Sequence, residues 1–276
     1  MIQDIYPRQF YNAFKKCTPS DGDTVFAFDD EGRIMASITD GDVTFPRVAD
    51  TVDTEAVYLF AIDENDYFLS RSGLGSGITG YEPFTIRTLR DKCSGPELFA
   101  AFTAYHLWKW YSDNRYCGSC GSLMNHSDNE RALVCAGCGS IVYPRINPAV
   151  IVGVIKGDEL LITRYNRGYK HNALVAGFCE IGETLEQTVS REVMEEVGLH
   201  VKNIRYYKSQ PWGMAQDLLA GFFCEADKDE DIRMDTAELG YASFVKREDI
   251  QLQPNDISLT NEMMKVFKEN TFEAMG

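Results

Sequence analysis

The sequence predicts an α/β fold in which a mixed sheet lies between helices, and three observations support this class. Strand-like and helix-like segments alternate from Asn147 onward, as in a sheet that is covered by helices. Two C-x2-C pairs with the spacing of metal ligands precede that region. Before them, the chain carries only short strand-like runs between polar turns. We therefore predict a β-rich domain at 1–95, a linking helix at 96–114, a zinc ribbon at 115–145 and an α/β/α sandwich at 146–276.

The first domain is predicted to be a small antiparallel structure. Its strand-like runs lie at 25–28, 34–37, 57–62 and 67–70. The segment at 96–111 is expected to be helical, because apolar side chains recur at three- and four-residue spacing. These side chains are Leu98, Phe102, Tyr105 and Trp108. We expect this stripe to pack against the first domain.

The C-terminal region is predicted to contain strands and two flanking helices. The strands are expected at 149–155, 159–164, around 175, at 204–209 and at 218–224. The helices are expected at 184–197 and 258–268.

Composition limits the classes of partner. The chain has 27 basic and 42 acidic residues, giving a formal net charge of -15. Broad electrostatic binding to nucleic acid needs a basic stripe, so this balance disfavours it, whereas compact anions that enter with divalent metal remain compatible. No targeting segment and no apolar run of about 20 residues is evident. We expect a soluble, cytoplasmic protein that does not bind membranes.

Four cysteines are spaced as ligands of one metal ion. They are Cys117, Cys120, Cys135 and Cys138, with fourteen residues between the two pairs. A glycine follows each pair and allows the tight turn that directs two thiolates at one ion. Four thiolates suit a closed, structural zinc site. Disulfides are the alternative, which a reducing cytosol disfavours. His126 could replace one of the four cysteine ligands, but we interpret it as a surface-loop residue.

A glycine motif in the first domain resembles a dinucleotide-cofactor site. Gly75, Gly77 and Gly80 satisfy G-x-G-x-x-G, but that motif should end a strand and open a helix. Here it is followed by Tyr81, Glu82 and a proline, with β-branched residues beyond. We interpret it as a surface loop.

The helix predicted at 184–197 carries an unusual arrangement of charge. Thr184 and Gln187 are spaced as a capping box, and Gly198 follows as a stop signal. Glu192 and Glu196 project beside the helix's apolar stripe, where an unpaired charge is costly. Divalent cations such as Mg2+ would resolve this conflict, since they prefer carboxylate ligands. A solvated acidic face is the alternative.

The same segment carries a family motif. Residues 177–199 read GFCEIGETLEQTVSREVMEEVGL and fit G-x5-E-x7-R-E-U-x-E-E-x-G-U at every fixed position. The chain therefore resembles the Nudix hydrolases, which cleave a nucleoside diphosphate linked to another group. The resemblance implies Mg2+ or Mn2+ at Glu192, Glu195 and Glu196, with Glu195 as a ligand or the group that activates water. It also implies a salt bridge between Glu183 and Arg191 that supports the catalytic set.

Features on both sides of the box resemble one branch of that family, the NADH pyrophosphatases. They are the cysteine ribbon, the domain before it, and the S-Q-P-W segment at 209–212. This branch splits NAD(H) into AMP and nicotinamide mononucleotide, and some members remove NAD caps from RNA. The family pattern continues P-F-P-x-S, but here Gly213, Met214, Ala215 and Asp217 replace the expected residues. We expect a less rigid loop and a changed preference among dinucleotides.

The branch resemblance also implies binding residues. Ser209, Gln210 and Trp212 would contact the substrate, and Glu238 would be a further metal ligand. Phe178 and Tyr143 resemble the positions that hold a base between them, in a pocket that both subunits of a homodimer form. Burial in the core is the alternative for either aromatic ring.

Two alternative functions remain open at this point. One is hydrolysis of another nucleoside diphosphate derivative, such as ADP-ribose or a dinucleoside polyphosphate. The other is a zinc-ribbon binding protein with a vestigial box. No Ser-His-Asp or Cys-His arrangement is evident among four histidines, so we expect direct attack by metal-bound water rather than a covalent route.

Overall fold

The computed structural model describes residues 1–50, 56–71, 78–168, 170–227 and 229–271. The chain divides into two compact units. The N-terminal unit contains Ile2–Arg145 and Gly213–Gln216. The C-terminal unit contains Met1, Ile146–Trp212 and the chain from Asp217 onward.

The N-terminal unit is rich in short strands. In order, its elements are β1 (Phe10–Tyr11), β2 (Thr24–Phe26), β3 (Arg33–Thr39), β4 (Asp42–Thr44), β5 (Ala56–Ile62), β6 (Asn65–Ser70), β7 (Glu82–Thr85), α1 (Ile86–Lys92), α2 (Gly95–Asp113), β8 (Met124–His126), β9 (Leu133–Cys135) and β10 (Ile141–Val142). One sheet has the order β1-β5-β6-β2, a second β4-β3-β7, and a third β10-β9-β8. The four predicted strands and the predicted helix are confirmed. The expectation of an antiparallel domain is wrong in one place, because β2 is not joined to β6 by a hairpin and pairs with it in parallel.

Helix α2 packs on the strand domain through the predicted stripe. Leu98 and Phe102 are almost fully buried. Further along the helix, Trp108 stacks on Phe28 with ring centroids 4.9 Å apart. Tyr105 meets the same phenylalanine edge-on at 6.0 Å. The interpretation of this stripe as a packing surface is therefore confirmed.

Seven elements of this unit were not predicted: β1, β4, β7, α1 and the ribbon strands β8, β9 and β10. The strands have two to four residues, too few to show a period. Helix α1 begins where Thr85 Oγ1 accepts a hydrogen bond from Thr88 N, at 3.1 Å. Gly75 and Gly77 lie outside the described residues, but Gly80, with φ +88°, precedes strand β7 rather than a helix. That order agrees with a surface loop.

The C-terminal unit is the predicted sandwich. Its elements are β11 (Asn147–Lys156), β12 (Glu159–Tyr165), β13 (Val175–Phe178), α3 (Leu185–Val197), β14 (Val201–Trp212), β15 (Asp217–Ala226), β16 (Leu239–Lys246) and α4 (Leu259–Lys268). The sheet order is β14-β15-β11-β12-β16, and β13 pairs with β11. The β11 and β15 strands are parallel and the other pairs antiparallel, so the sheet is mixed as predicted.

The alternation of β11 assigns one helix to each face of the sheet. Val150, Val152 and Val154 pack with the apolar residues of α3. Ile151 points the other way and packs with α4 residues such as Met263. Because side chains alternate along a strand, the two helices cover opposite faces. The α/β/α sandwich is confirmed.

The segment after the box differs from the expectation. The strand was expected at 204–209, but β14 runs on to Trp212, and residues 209–212 are its last four, paired with the first residues of β15. The turn comprises only Gly213–Gln216. Strand β16 was also not predicted, because the acidic run before it obscured its start. In the described part of the chain, no helix combines the length and apolarity needed to cross a bilayer.

Candidate active site and metal centre

The four predicted cysteines converge in the ribbon. Their sulfur atoms all lie within 4.8 Å of one another. Cys117 Sγ is 3.5 Å from Cys138 Sγ, and Cys120 Sγ is 3.4 Å from Cys135 Sγ. Tetrahedral zinc with bonds of about 2.3 Å separates its ligand sulfurs by about 3.8 Å, so these positions fit the ion. All four cysteines are free thiols, which contradicts the disulfide alternative.

Local backbone geometry forms the two cysteine turns. Gly121 and Gly139 have φ of +73° and +77°, where a side chain would be strained. Each donates its N–H to the backbone carbonyl of the first cysteine of its pair, at 2.8 and 2.9 Å. Hydrogen bonds from backbone N–H groups lower the pKa of Cys117 to about 6, which favours the thiolate that binds metal. His126 is outside this group and packs against Tyr111 instead, with the rings tilted by 35° and their centroids 4.8 Å apart.

Helix α3 forms as its sequence predicts. Thr184 Oγ1 accepts from Gln187 N at 3.2 Å, and Gln187 Oε1 accepts from Thr184 N at 2.8 Å. This reciprocal pair is the predicted capping box. Gly198 ends the helix with φ +66°. The inward stripe is fully buried and consists of Val189, Val193 and Val197.

Arg191 and Glu183 form the predicted ion pair. Arg191 Nε donates to Glu183 Oε1 at 2.7 Å, and Nη2 donates to Oε2 at 2.9 Å. Hydrogen bonds from this guanidinium lower the pKa of Glu183 to about 2, with help from Glu180 N–H and the Thr188 hydroxyl. Nη2 also donates to the carbonyl of Phe178 at 2.9 Å. Arg191 therefore joins helix α3, the loop before it and the end of β13.

The same arginine holds two more of the predicted glutamates. Its Nη1 donates to Glu192 Oε1 at 2.7 Å and to Glu195 Oε2 at 2.9 Å. Glu195 is the more exposed of the two carboxylates, as its side chain is 59% accessible against 13% for Glu192. The Arg191 guanidinium thus positions the carboxylates of Glu183, Glu192 and Glu195, although Glu195 remains open to solvent.

The first glycine of the box is required by Glu192. A Cβ added at Gly177 would lie 1.9 Å from Glu192 Cδ, so any side chain there would displace the carboxylate. Burial raises the pKa of Glu192, although Arg191 opposes that shift. The glycine at the start of the box therefore has a steric cause in this fold, because Gly177 of β13 lies directly against the Glu192 carboxylate.

Glu196 is the most deeply buried of the predicted ligands, with 3% of its surface exposed. Its Oε1 accepts a hydrogen bond from Ala176 N at 3.3 Å. Its Oε2 is buried and has no hydrogen-bond partner among the described residues. Burial raises the pKa of this carboxyl to about 8, and the charges of Glu192 and Glu238 add to the effect. Glu196 Oε2 therefore lacks the hydrogen bond or ion pair that a buried charge normally needs.

Glu238 approaches the same cluster from the segment before β16. The charge of Glu238 raises the pKa of Glu196. Burial raises the pKa of Tyr165, and the charges of Glu192, Glu196 and Glu238 raise it further. Asn166 N donates to the Glu238 carbonyl at 2.9 Å, which fixes the backbone of this segment. The Glu238 charge therefore acts on both helix glutamates, Glu192 and Glu196.

Two members of this neighbourhood were missed by the sequence reasoning. Asp235 lies close enough to raise the pKa of Glu196, and its N–H donates to the Glu196 carbonyl at 2.8 Å. Tyr165 ends strand β12 and packs against the core beneath α3. Asp235 lies in the same acidic run as Glu238, which was the available signal, whereas nothing in the pattern marked Tyr165.

The donor set fits a hard divalent cation. It consists of carboxylate oxygens, and the partnerless Oε2 of Glu196 is the kind of buried acceptor that a cation would satisfy. Glu192, Glu196 and Glu238 would hold such an ion, with Glu195 at the solvent side. The solvated-face alternative does not fit Glu196, which is almost completely buried.

The two predicted base-binding rings are on the surface. Phe178 is 53% exposed and Tyr143 is 55% exposed, so core burial does not account for either. Phe178 ends strand β13, and Tyr143 follows β10 in the N-terminal unit. The Tyr143 hydroxyl donates to Glu130 Oε1 at 3.1 Å, and this contact raises the pKa of the tyrosine.

Of the S-Q-P-W residues, Gln210 has a clear structural role. It is fully buried, its Nε2 donates to the Ile257 carbonyl at 2.8 Å, and its Oε1 accepts from Leu259 N at 2.7 Å. It therefore ties β14 to the start of helix α4, and any effect on substrate would come through positioning. Ser209 and Trp212 pair with Ala220 and Asp217 of the neighbouring strand.

Asp217, one of the departures from the family pattern, is also buried. Its exposed fraction is 6%. Burial raises its pKa to about 6, although a hydrogen bond with Asn147 opposes this shift. Its Oδ1 has no hydrogen-bond partner among the described residues. The serine that the pattern expects would place a neutral hydroxyl here, so the departure adds a buried titratable group.

With this geometry in place, the class of the protein follows from two family matches. Residues 145–266 match the NUDIX domain, and residues 112–143 match the NADH pyrophosphatase zinc ribbon domain. The chain therefore contains one region that matches a NUDIX domain and, before it, one that matches this zinc ribbon. The first match covers β11 to α4, and the second contains all four cysteines.

Two curated proteins are similar in sequence to more than half of this chain. A protein of Yersinia enterocolitica called NAD-capped RNA hydrolase NudC is 44% identical over 149 residues, which are 54% of this chain and 57% of that protein. Its namesake in Salmonella typhi is 43% identical over 173 residues, 62% of this chain and 66% of the relative. The matched part thus spans less than two thirds of the length of these relatives.

A solved structure supports the fold. The crystal structure of a NUDIX hydrolase from Nitrosomonas europaea has a TM-score of 0.50 at 20% identity. The match covers 56% of this chain and 91% of the other. At this identity the likeness concerns the fold alone.

Proposed function

We propose that this chain hydrolyses the diphosphate of NAD(H), giving AMP and nicotinamide mononucleotide, in a reaction that depends on Mg2+ or Mn2+. The observation that supports this most is Glu196, a buried carboxyl whose Oε2 lacks a protein partner beside two other carboxylates. Removal of NAD caps from RNA 5′ ends is part of the same proposal, because the curated relatives bear that name.

Each residue of the cluster has a separate task in this reaction. Divalent ions, when bound, neutralise the diphosphate oxygens and lower the pKa of water. Glu192, Glu196 and Glu238 provide the carboxylates for these ions. Glu195 is exposed and accepts the proton of the attacking water. Arg191 and Glu183 keep the glutamates in place through the hydrogen bonds of 2.7–2.9 Å described above.

The remaining site assignments concern the base and the assembly. We propose that Phe178 and Tyr143 hold one base of the dinucleotide, since both rings are more than half exposed. Ser209 and Trp212 contact the rest of the substrate. A homodimer in which both subunits contribute to the pocket completes the assignment. Light scattering that found only monomers at working concentrations would contradict the dimer.

The domain division and cellular location also remain proposals. We retain boundaries at 1–95, 96–114, 115–145 and 146–276, and limited proteolysis would test them. We propose that the protein works in the cytoplasm, because the free thiols of the ribbon persist where cysteines are kept reduced.

Product analysis tests the proposed reaction. The chain is incubated with Mn2+ and NADH, NAD, ADP-ribose, diadenosine diphosphate or NAD-capped RNA, and the products are separated by chromatography. We expect AMP and nicotinamide mononucleotide from NAD(H), with oxygen from labelled water in one phosphate. Release of nicotinamide with ADP-ribose would indicate glycosidic cleavage and contradict the proposal. Equal turnover of ADP-ribose would favour the broader Nudix alternative, and no turnover would favour a vestigial box.

A further inference from the structure

The N-terminal unit contains two adjoining cavities that the proposed reaction does not use. The smaller has a volume of about 230 Å³ and the larger about 490 Å³. Val57, Arg71, Tyr111 and His126 line both, so the cavities are neighbours. All their lining residues belong to the N-terminal unit.

The smaller cavity is basic in an otherwise acidic chain. Among the residues that the structure describes, Lys15, Lys16 and Arg71 line it against one carboxylate, that of Glu130. The whole chain has the opposite balance, with 27 basic and 42 acidic residues. Such a local excess of cations in a concave site attracts compact anions.

Existing ion pairs leave the two lysines accessible. Lys15 pairs with Asp66 at 2.5 Å and Lys16 with Asp128 at 2.8 Å, while the lysine side chains remain 51% and 68% exposed. Exposed pairs of this kind are weak, so an anion with more than one negative charge competes well for the ammonium groups.

A further cation lies behind this cavity. Arg131 Nη1 donates to the carbonyl and side chain of Asn12, and burial lowers the pKa of the guanidinium. Its Nε is buried without a hydrogen-bond partner among the described residues. Arg131 directly precedes Ala132, a residue of the cavity lining, so it lies next to the cavity. It adds positive potential that no described carboxylate contact offsets.

The larger cavity has aromatic walls. Phe28 and Trp108 line it as a stacked pair with an interplanar angle of 22°. At the junction with the smaller cavity, the rings of Tyr111 and His126 lie 4.8 Å apart. Phe28 is 4% exposed and is covered by Trp108, so of this pair the partly exposed Trp108 ring provides the stacking surface for a nucleobase. Asp29, Asp30 and Arg115 also line this cavity.

We propose that these two cavities form a nucleoside-phosphate site, with the phosphate at Lys16 and Arg71 and the base beside Trp108. The combination of a cation-rich cavity and an aromatic cavity matches the two parts of such a ligand. The ligand is either a free mononucleotide or one nucleotide of an RNA chain, since both present the same base and phosphate. The site binds and performs no chemistry.

Binding of AMP tests the proposal. AMP is also a product of the proposed reaction, so equilibrium dialysis uses the Phe178→Ala variant, which weakens binding at the diphosphate site. We expect this variant to bind about one AMP tightly, and the added pair Lys16→Glu and Arg71→Glu to weaken that binding at least tenfold. Lys109→Glu is the matched control, because Lys109 is an exposed lysine of the same unit paired with Asp113.

A second variant separates the two cavities. Trp108→Phe keeps an aromatic ring on Phe28 but reduces the stacking surface, so AMP binding should weaken about fivefold while orthophosphate binding stays unchanged. Thermal melting verifies that each variant is folded. In otherwise wild-type protein, the pair Lys16→Glu and Arg71→Glu should leave NADH hydrolysis unchanged.

The same assay identifies the source of the nucleotide. A 5′-phosphorylated RNA pentamer that binds at least tenfold more tightly than AMP indicates an RNA chain, and equal affinity indicates a free mononucleotide. The proposal is overturned if the Phe178→Ala variant binds no AMP, or if the charge reversals weaken its AMP binding no more than Lys109→Glu does.

Discussion

The cysteine ribbon and the acidic face of helix α3 both gather metal-binding groups, but they are assembled differently. In the ribbon, four sulfur atoms from two local turns already lie within 4.8 Å of one another. On α3, no comparable group of three carboxylates meets that distance within the described residues. Arg191 instead binds Glu192 and Glu195, and Glu196 retains a partnerless oxygen.

This difference indicates what each site is built to do. The ribbon uses all its ligands on one ion and leaves none for a substrate, as structural zinc sites do. We propose that the α3 cluster is completed by cations and substrate phosphates, as Mg2+ sites commonly are. On this proposal the first site stabilises the fold, and the second binds and activates the substrate.

Glu196→Gln should separate these roles most strongly. The substitution keeps size and helix propensity but removes the charge that holds the cation, so kcat for NADH should fall by about 10² or more. Because the wild-type carboxyl is buried with a pKa raised to about 8, the melting temperature should not fall. Near-normal turnover would show that the metal site lies elsewhere. Glu192→Gln should lose a similar factor in kcat.

Gly177→Ala tests the steric origin of the box glycine. Its Cβ would displace the Glu192 carboxylate, and a displacement of about 1 Å at a reacting centre can cost about 10²-fold in turnover. Steady-state kinetics with NADH measures the effect. Gly22→Ala is the matched control, since nothing lies within 4 Å of that added Cβ. Equal activity in both variants would refute the steric argument.

Phe178→Ala should have a smaller effect, on recognition. Loss of stacking worth roughly 1–3 kcal/mol should lower kcat/KM for dinucleotides by tens of fold. Hydrolysis by Tyr143→Ala should respond in the same direction. If the folded Phe178 variant kept its kcat/KM, the ring would have no place in the pocket.

Cys120→Ser should affect stability rather than chemistry. Metal analysis of the wild type should find about one tightly held zinc per chain, and the variant should lose it together with at least about 5 °C in melting temperature. A variant with wild-type stability that had lost all turnover would indicate a catalytic zinc instead.

Metal-free protein should also show the titration of Glu196 in its stability. The pKa rises from about 4.5 to about 8 on folding, so the native state holds a proton that the unfolded state releases between these values. Stability from this group is therefore complete below about pH 4.5 and decreases as the pH rises to about 8. Urea unfolding of wild type and Glu196→Gln should converge at low pH, and a constant difference would contradict the shift.

How much the sequence could predict depends on how local each cause is. Helix α3 was predictable because Thr184, Gln187 and Gly198 fix its ends within one segment. The ribbon was predictable because each cysteine pair needs only its own turn. The strand at 209–212 was not, because β15 stabilises it, and Gln210 is buried by contacts with residues about 50 positions away.

The burial of charge was equally hidden from the sequence. Asp217 was visible as a departure from a pattern, but its enclosure depends on the β11 and β15 pairing. Asp235 approaches Glu196 because its segment hydrogen-bonds to the end of α3. In the N-terminal unit, the β1 and β4 strands are too short to be recognised without their partners.

Direct measurement of Mn2+ binding tests the central claim, that the α3 carboxylates form a cation site. Electron paramagnetic resonance at pH 7.5 would measure the concentration of free Mn2+ as the ion is titrated into each protein. The proteins are the zinc-loaded wild type, zinc-loaded Glu196→Gln, and Cys120→Ser. We predict that Glu196→Gln weakens Mn2+ binding at least tenfold while keeping its zinc, and that folded Cys120→Ser keeps wild-type Mn2+ affinity. Unchanged Mn2+ affinity in Glu196→Gln would contradict the account.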